Sequence, residues 1–260
     1  MTDKLPLISR TRVINSSAST STSLIGRGLN TILNKDNGLA RSELDDRYRR
    51  ARDIYDRITI YSNLHCTTWQ IDKQKELSTS FEIFKLLADM DYGKTYFLLA
   101  RIYRGYHGVN GNHKLMQQYG DMAFNWLFDN QLINDSEIWN DLGTSYRCGI
   151  GVERDNSLAF FWYTKAAEKG HIGGQYFLGS SYSNWYWFNQ DQVKAAFWFR
   201  KSAEQNFHRS QYELAKMYAD GRGLDQDDEQ AVFWYRKAAE QGYVKAQEIL
   251  TKRGINWMNS

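Results

Sequence analysis

The sequence predicts an all-α protein built from a stack of antiparallel helix pairs, and three observations lead to this prediction. Proline, which breaks helices, occurs once in 260 residues, at Pro6. Apolar residues inside each unit fall three, four and seven positions apart, which is the spacing of one helix face. A 36-residue period of this kind is typical of helical repeat architectures. The tryptophans that set the period are Trp126, Trp162, Trp198 and Trp234.

The same 36-residue step recurs in residues that begin, end and pack the helices. We call the first helix of each pair helix A and the second helix B. In helix A a Leu is followed by a small residue, which allows helix B to approach closely. An Asp precedes helix B, where it caps free backbone N–H groups, at Asp155, Asp191 and Asp227. A residue suited to the left-handed conformation closes helix B, at Gly170, Asn206 and Gly242.

Two units join helix A to helix B through a glycine loop, CGIGVERD at 148–155 and DGRGLDQD at 220–227. Residues 142–170 and 214–242 carry the pattern L-G-x-x-Y-x-x-G-x-G-V-x-x-D followed by A-x-x-W-Y-x-K-A-A-E-x-G almost completely. This pattern resembles the Sel1-like repeat family, a relative of the tetratricopeptide repeats, over about residues 80–255. The resemblance implies a right-handed α-solenoid that binds a protein partner and is not an enzyme.

The period is broken at two places. Tyr103 and Tyr146 are 43 residues apart, and we predict that the seven extra residues lie between helices A and B, around 107–118. In the third unit SNWYWFNQ, at 183–190, replaces the glycine loop. Its consecutive aromatics cannot all point inward, so they are predicted to bind a partner, or alternatively to cover a gapped junction. These aromatics are Trp185, Tyr186, Trp187 and Phe188.

The sequence predicts three regions, namely a disordered polar tail (1–22), an N-terminal amphipathic helical cap (23–78) and the repeat solenoid (79–255). Residues 23–38 are predicted to form a short amphipathic helix. A longer helix follows, with its apolar face at Leu44, Tyr48, Ala51, Tyr55 and Ile58. Its opposite side is rich in arginine, which indicates either a solvated outer face or a docking surface for an acidic partner or a membrane surface.

The two ends of the repeat region are predicted to be half-units. Phe81, Phe84 and Ala88 predict a helix B that lacks its helix A, and residues 244–252 predict a helix A that lacks its helix B. Terminal half-units of this kind act as caps, because each repeat buries its apolar face only against a neighbour.

The sequence has no catalytic or metal-binding signature, which predicts a protein that is not an enzyme and has no cofactor. The phosphate-binding loop, GxSxG, HExxH and CxxC are all missing. His107 and His113 share the irregular stretch, but they have no fixed third ligand, which argues against a metal site. Cys66 and Cys148 fit two free thiols in a reducing compartment. The net charge of +3 is too small to indicate nucleic-acid binding.

No secretory signal occurs in the first 23 residues, and no apolar run is long enough to span a bilayer. Together these features predict a cytoplasmic protein.

Tetratricopeptide-type geometry, taken over from the resemblance, predicts a concave groove lined by helix A. Phe97, Tyr176 and Tyr212 would form an aromatic column with basic side chains around it, which suits an acidic protein or peptide. Alternatively, the tyrosines only pack between neighbouring units. The predicted groove residues are Phe97, Arg101, Arg104, Asn140, Arg147, Tyr176, Tyr212 and Lys216.

Two functions follow from the resemblance. The first is an adaptor that holds other proteins. The alternative is an immunity or inhibitor protein that neutralises a bacterial toxin or secreted effector, since Sel1-like proteins of bacteria occur in both settings. An enzyme remains a third hypothesis only for residues 1–80, which the repeat does not explain.

Overall fold

The computed structural model describes residues 38–61, 67–104, 111–183 and 190–257, and all regular structure within these ranges is α-helical. This confirms the predicted all-α fold. The predicted polar tail and the short helix at 23–38 fall almost wholly outside the described residues, as do Trp185, Tyr186, Trp187 and Phe188.

The helices are α1 (Gly38–Tyr61), α2 (Thr67–Asp89), α3 (Lys94–Tyr103), α4 (His113–Asp129), α5 (Ser136–Cys148), α6 (Asn156–Glu168), α7 (Ile172–Ser183), α8 (Gln192–Glu204), α9 (His208–Asp220), α10 (Asp228–Glu240) and α11 (Val244–Lys252).

The chain divides into two compact units. Among the described residues, the first unit contains 38–56, 72–104, 111–130 and 144–155. The second contains 57–61, 67–71, 131–143, 156–183 and 190–257.

In the first unit, α1 packs its predicted apolar face against α2. Tyr48, Ala51 and Tyr55 are buried, and the rings of Tyr48 and Tyr55 lie 6.3 and 6.0 Å from the ring of Phe84. The prediction that the helix containing Phe84 lacks a preceding partner is therefore wrong, because α1 is that partner. The predicted boundary between residues 78 and 79 falls inside α2, which is continuous from Thr67 to Asp89.

The arginine-rich side of α1 is exposed and pairs with its own helix. Arg47 lies 2.5 Å from Glu43, and Arg49 lies 2.5 Å from Asp46. Surface pairs of this kind contribute little stability, and they agree with the solvated-face interpretation.

The seven-residue insertion does not lie in the connection from helix A to helix B. The backbone N–H of Asn112 donates to the carbonyl of Tyr103 at 2.9 Å, and the equivalent bond from Asp155 to Tyr146 measures 3.0 Å with the same nine-residue spacing. The connection therefore has its ordinary length. The extra residues lengthen α4, which has 17 residues where α6, α8 and α10 have 13, and the turn that follows it.

This correction also changes the register of the first unit. Counting from the start of helix B, Tyr119 and not Trp126 occupies the position of Trp162. Trp126 instead lies over Gly93, where an added Cβ would overlap the indole ring. The first member of the tryptophan series therefore shares the 36-residue spacing without sharing the structural position.

In the second unit the predicted caps and close approaches are confirmed. The carboxylates of Asp191 and Asp227 accept from the backbone N–H groups of Lys194 and Gln230, at 3.0 and 2.9 Å. Gly179 faces the Phe199 ring, to which an added Cβ would lie 3.0 Å away, so only a small residue fits there. The residues predicted to close helix B all have positive φ, 84° at Gly170, 67° at Asn206 and 82° at Gly242.

Candidate functional site

The two groove tyrosines of the second unit pack between consecutive helix pairs. The ring of Tyr176 lies 5.3 Å from Phe207, and the ring of Tyr212 lies 4.9 Å from Tyr243 and 5.8 Å from Tyr235. Burial raises the pKa of the Tyr212 hydroxyl. These contacts agree with the alternative that the tyrosines join neighbouring repeats, although both side chains remain half-exposed.

Lys216, predicted as a basic groove residue, is already close to a carboxylate. Its Nζ lies 3.4 Å from Glu213 and 5.6 Å from the centre of the Tyr212 ring. This positive charge is therefore partly balanced within the protein itself.

Phe97 and Asn140 lie in the interior. Phe97 is 2% exposed and Asn140 is 8% exposed, so a partner cannot reach either side chain in this conformation. Phe97 instead supports Arg101, whose guanidinium carbon lies 5.8 Å from the Phe97 ring and 6.0 Å from the Tyr55 ring. Arg101 and Arg147 are both half-exposed.

Arg104 opens onto a cleft of about 700 Å³ that lies entirely within the first unit. We name this the arginine cleft. It is bounded by the C-terminal end of α3, the first turns of α4 and the glycine loop after α5. Apolar lining comes from Tyr103, Met116, Ile150 and Val152, and polar lining from Arg104, His113, Asp121, Glu153 and Arg154.

Two guanidinium groups converge on one carbonyl oxygen in the arginine cleft. Arg104 Nη1 donates to the carbonyl of Cys148 at 3.3 Å, and Arg154 Nε donates to the same oxygen at 3.4 Å. Within the described part of the chain, neither guanidinium has a carboxylate within ion-pair distance. Because each guanidinium carries five N–H donors, most of them are left to bind a ligand.

The glycine loop fixes the floor of this cleft. Gly149 and Gly151 have φ of 70° and 66°, a conformation that favours glycine. An added Cβ at Gly151 would overlap the backbone of Gly120 in α4, so the close approach of loop and helix requires glycine. Ile150 and Val152 are buried at 5% and 2% exposure and anchor the loop.

Sequence analysis predicted Arg104 as a partner-binding residue but not Arg154 or the carbonyl of Cys148. Arg154 stands in the glycine loop two residues after Val152, where the family pattern leaves the residue type open. The other glycine loop has Gln226 at the corresponding position, so the basic residue at Arg154 was the signal that the sequence offered.

Other kinds of site find no support in the part of the chain that the structure describes. It holds no group of three or more His, Cys, Asp or Glu side chains placed to bind a metal ion. Cys148 has a free thiol. None of the described helices combines the length and the apolar character needed to cross a bilayer.

The consecutive antiparallel helix pairs define a helical repeat protein. The Sel1 repeat family model matches three consecutive stretches, 140–171, 173–207 and 208–243. Residues 140–243 therefore consist of three Sel1 repeats. Proteins of this family generally act as protein–protein interaction scaffolds and are typically non-enzymatic.

Several solved structures are similar to this chain. A Sel1 repeat protein from Oxalobacter formigenes is 32% identical with a TM-score of 0.46, over 49% of this chain and 96% of that one. The protective antigen c5321 of uropathogenic Escherichia coli, which has an SLR fold, is 24% identical with a TM-score of 0.49, over 88% and 52%. Helicobacter pylori cysteine rich protein B is 23% identical with a TM-score of 0.41, over 55% and 100%. No curated protein matches the chain significantly.

Proposed function

We propose that this protein is a scaffold that binds an acidic protein partner, with a carboxylate of the partner seated in the arginine cleft. The observation that supports this most is the convergence of Arg104 and Arg154 on one carbonyl, with no ion-pair partner for either among the residues that the structure describes. A guanidinium binds a carboxylate through two parallel N–H donors, which gives both strength and orientation. The apolar lining from Met116 and Ile150 would accept the side chain that carries the carboxylate.

A protein partner fits the cleft better than a nucleic acid does. Asp121 and Glu153 line the same cleft, and their negative charges would repel a run of backbone phosphates. A single carboxylate between Arg104 and Arg154 brings one negative charge into the cleft and therefore meets less of this repulsion than a run of phosphates does. The free thiol of Cys148 in the same cleft suits a cytoplasmic, reducing location, which we include in the proposal.

Arg104→Gln/Arg154→Gln is the direct test, because glutamine keeps side-chain polarity and removes both charges. Peptides that bind the wild-type chain are selected from a random displayed library, and their Kd values are measured by fluorescence anisotropy. We expect the selected peptides to be enriched in Asp and Glu, and the variant to bind them at least tenfold more weakly, since charge-assisted hydrogen bonds are lost.

The matched control is Arg50→Gln/Lys245→Gln, which removes the same charge from exposed positions outside the cleft. It should leave the Kd unchanged. If the selected peptides carry no acidic residues, the arginine cleft is not a carboxylate site. The same conclusion follows if Arg104→Gln/Arg154→Gln and the control variant bind the peptides with equal affinity.

The immunity or inhibitor role differs from the adaptor role in affinity rather than in surface. An inhibitor would bind one partner in the nanomolar range or tighter, whereas an adaptor would bind several partners at about micromolar Kd. The Kd of the natural partner, once it is captured, separates the two roles.

The predicted aromatic loop, Trp185 to Phe188, remains a second proposed surface on sequence grounds alone.

A further inference from the structure

Helix α2 has two apolar faces. Ser80, Phe84 and Leu87, each 0% exposed, face the core of the first unit. A second row, apolar except for Thr79, follows the same helix at spacings of four, three and four, and it consists of Thr79, Ile83, Leu86 and Met90. We name this row the outer stripe. A helix with so wide an apolar surface is normally covered on more than one side.

Part of the outer stripe is open. Leu86 is 49% exposed and Met90 is 42% exposed. Beside Ile83 and Leu86 lies a shallow hollow of about 450 Å³ that is bordered also by Ser78, Thr79 and Glu82. Single exposed apolar side chains are ordinary, but a continuous row with a hollow beside it marks a contact surface.

We infer that the outer stripe is the docking site of residues 24–33 of the same chain. In this segment Ile25, Leu29, Ile32 and Leu33 follow one another at helical spacings of four, three and one. The segment would present these four side chains to the stripe. Gly26 and Gly28 lower its intrinsic helix propensity, and docking would supply the stabilisation that a helix there requires.

The docking site lies within reach of this segment. Helix α1 begins at Gly38, and its first half lies beside the Met90 end of α2, because the Tyr92 hydroxyl donates to Asp45 and the ring of Tyr48 lies 5.5 Å from that of Tyr92. Four residues, 34–37, can span about 14 Å. A ten-residue helix is about 15 Å long, and the outer stripe from Ile83 to Met90 is about 10 Å long. Residues 24–33 as a helix would therefore be long enough to cover this part of the stripe.

The charges of segment and stripe are opposite in sign. Exposed Glu82 and Asp89 flank the outer stripe on one side. The segment carries Arg27, while Lys35 and Asp36, which follow it, offset each other in charge. Glu82 already pairs with Lys85 at 3.1 Å, so Asp89 is the stronger candidate for a new pair.

Hydrogen–deuterium exchange on the full chain tests this inference, with Leu86→Lys/Met90→Lys as the variant. Both side chains are exposed, so the fold is retained while two charges enter the docking site. We expect amides of 24–33 to exchange at least tenfold more slowly than an unstructured peptide in the wild type, and at the unstructured rate in the variant. Ile25→Ser/Ile32→Ser should remove the same protection from the other side of the contact.

The control is Val193→Lys/Phe197→Lys, which places the same charges on exposed apolar residues of the second unit, at 67% and 52% exposure. Protection of 24–33 should survive there. The inference is overturned if the amides of 24–33 exchange at the unstructured rate in the wild type. It is also overturned if these amides stay protected in Leu86→Lys/Met90→Lys. A dimer by light scattering that dissociates in that variant, with 24–33 unprotected, would assign the stripe to a second copy instead.

Discussion

His208 shows how a polar residue can occupy an apolar position of the repeat. It stands one period from Ile172 and Val244, and it is 2% exposed between the rings of Phe207 and Tyr243, at 5.3 and 5.2 Å. Burial, with a smaller contribution from the charge of Arg209, lowers the pKa of His208 to about 4. The imidazole is therefore neutral at pH 7 and packs as a ring.

The buried histidine makes stability depend on pH. The unfolded chain protonates His208 near pH 6.5 and the folded chain only near pH 4, so unfolded protein binds more protons between these values. The free energy of unfolding should fall as pH drops through this window, by up to about 3 kcal/mol from this residue.

Urea unfolding at pH 7, 5.5 and 4 measures this dependence. His208→Phe should remove most of it, because a phenyl ring has no proton to gain, whereas His113→Phe at an exposed position should not. If His208→Phe and the wild type lose equal stability on acidification, the buried imidazole is not the cause.

At the scale of the elements, a glutamine relay joins consecutive helix pairs in the second unit. The amide of Gln205 donates to Gln175 at 2.8 Å, and the amide of Gln241 donates to Gln211 at 2.7 Å, one period later. Gln211 in turn donates to the carbonyl of Ala203 at 3.3 Å. The accepting glutamines, Gln175 and Gln211, are 4% and 1% exposed, so an interrupted link leaves a buried side-chain oxygen without its donor.

Gln211→Met removes the relay at nearly constant side-chain volume. We expect a loss of about 1–3 kcal/mol in the free energy of unfolding, because the buried Gln211 amide gives up its hydrogen bonds to Gln241, Asn206 and the Ala203 carbonyl. Denaturant unfolding measures the loss, with Gln230→Met on the exposed side of α10 as the control. A loss no larger than that of the control would show that the relay does not stabilise the stack.

Features that depend on neighbouring residues were predicted correctly from the sequence, whereas features that depend on contacts between repeats were misplaced or missed. Asp191 and Gly170 act locally, through a cap and a turn, so their roles could be predicted without knowledge of distant contacts. The insertion was misplaced because Trp126 shares the tryptophan spacing, although helix B of that unit begins at His113, directly after its cap Asn112. The glutamine relay has the same period but was missed, because its hydrogen bonds cross from one repeat to the next.

At the scale of the whole molecule, the fold was predictable and the candidate site only partly so. Arg104 was predicted from its place on helix A, and Phe97 was predicted on the same grounds but is buried. The arginine cleft depends on the contact between Arg104 and Cys148, 44 residues apart, which no repeat spacing specifies. A site formed by a loop against a distant helix end requires the three-dimensional structure.

The most direct test of the central claim, that the arginine cleft binds a carboxylate of a protein partner, is a charge swap. Two proteins are compared, the wild type and Arg104→Glu/Arg154→Glu. The Kd of each is measured for two peptides. The first is the tightest-binding acidic peptide from the selection, and the second is the same peptide with the Asp or Glu that binds the cleft replaced by Lys. The account predicts that the variant loses the acidic peptide and gains at least tenfold affinity for the Lys peptide over the wild type. A variant that binds the Lys peptide no better than the wild type does would contradict it.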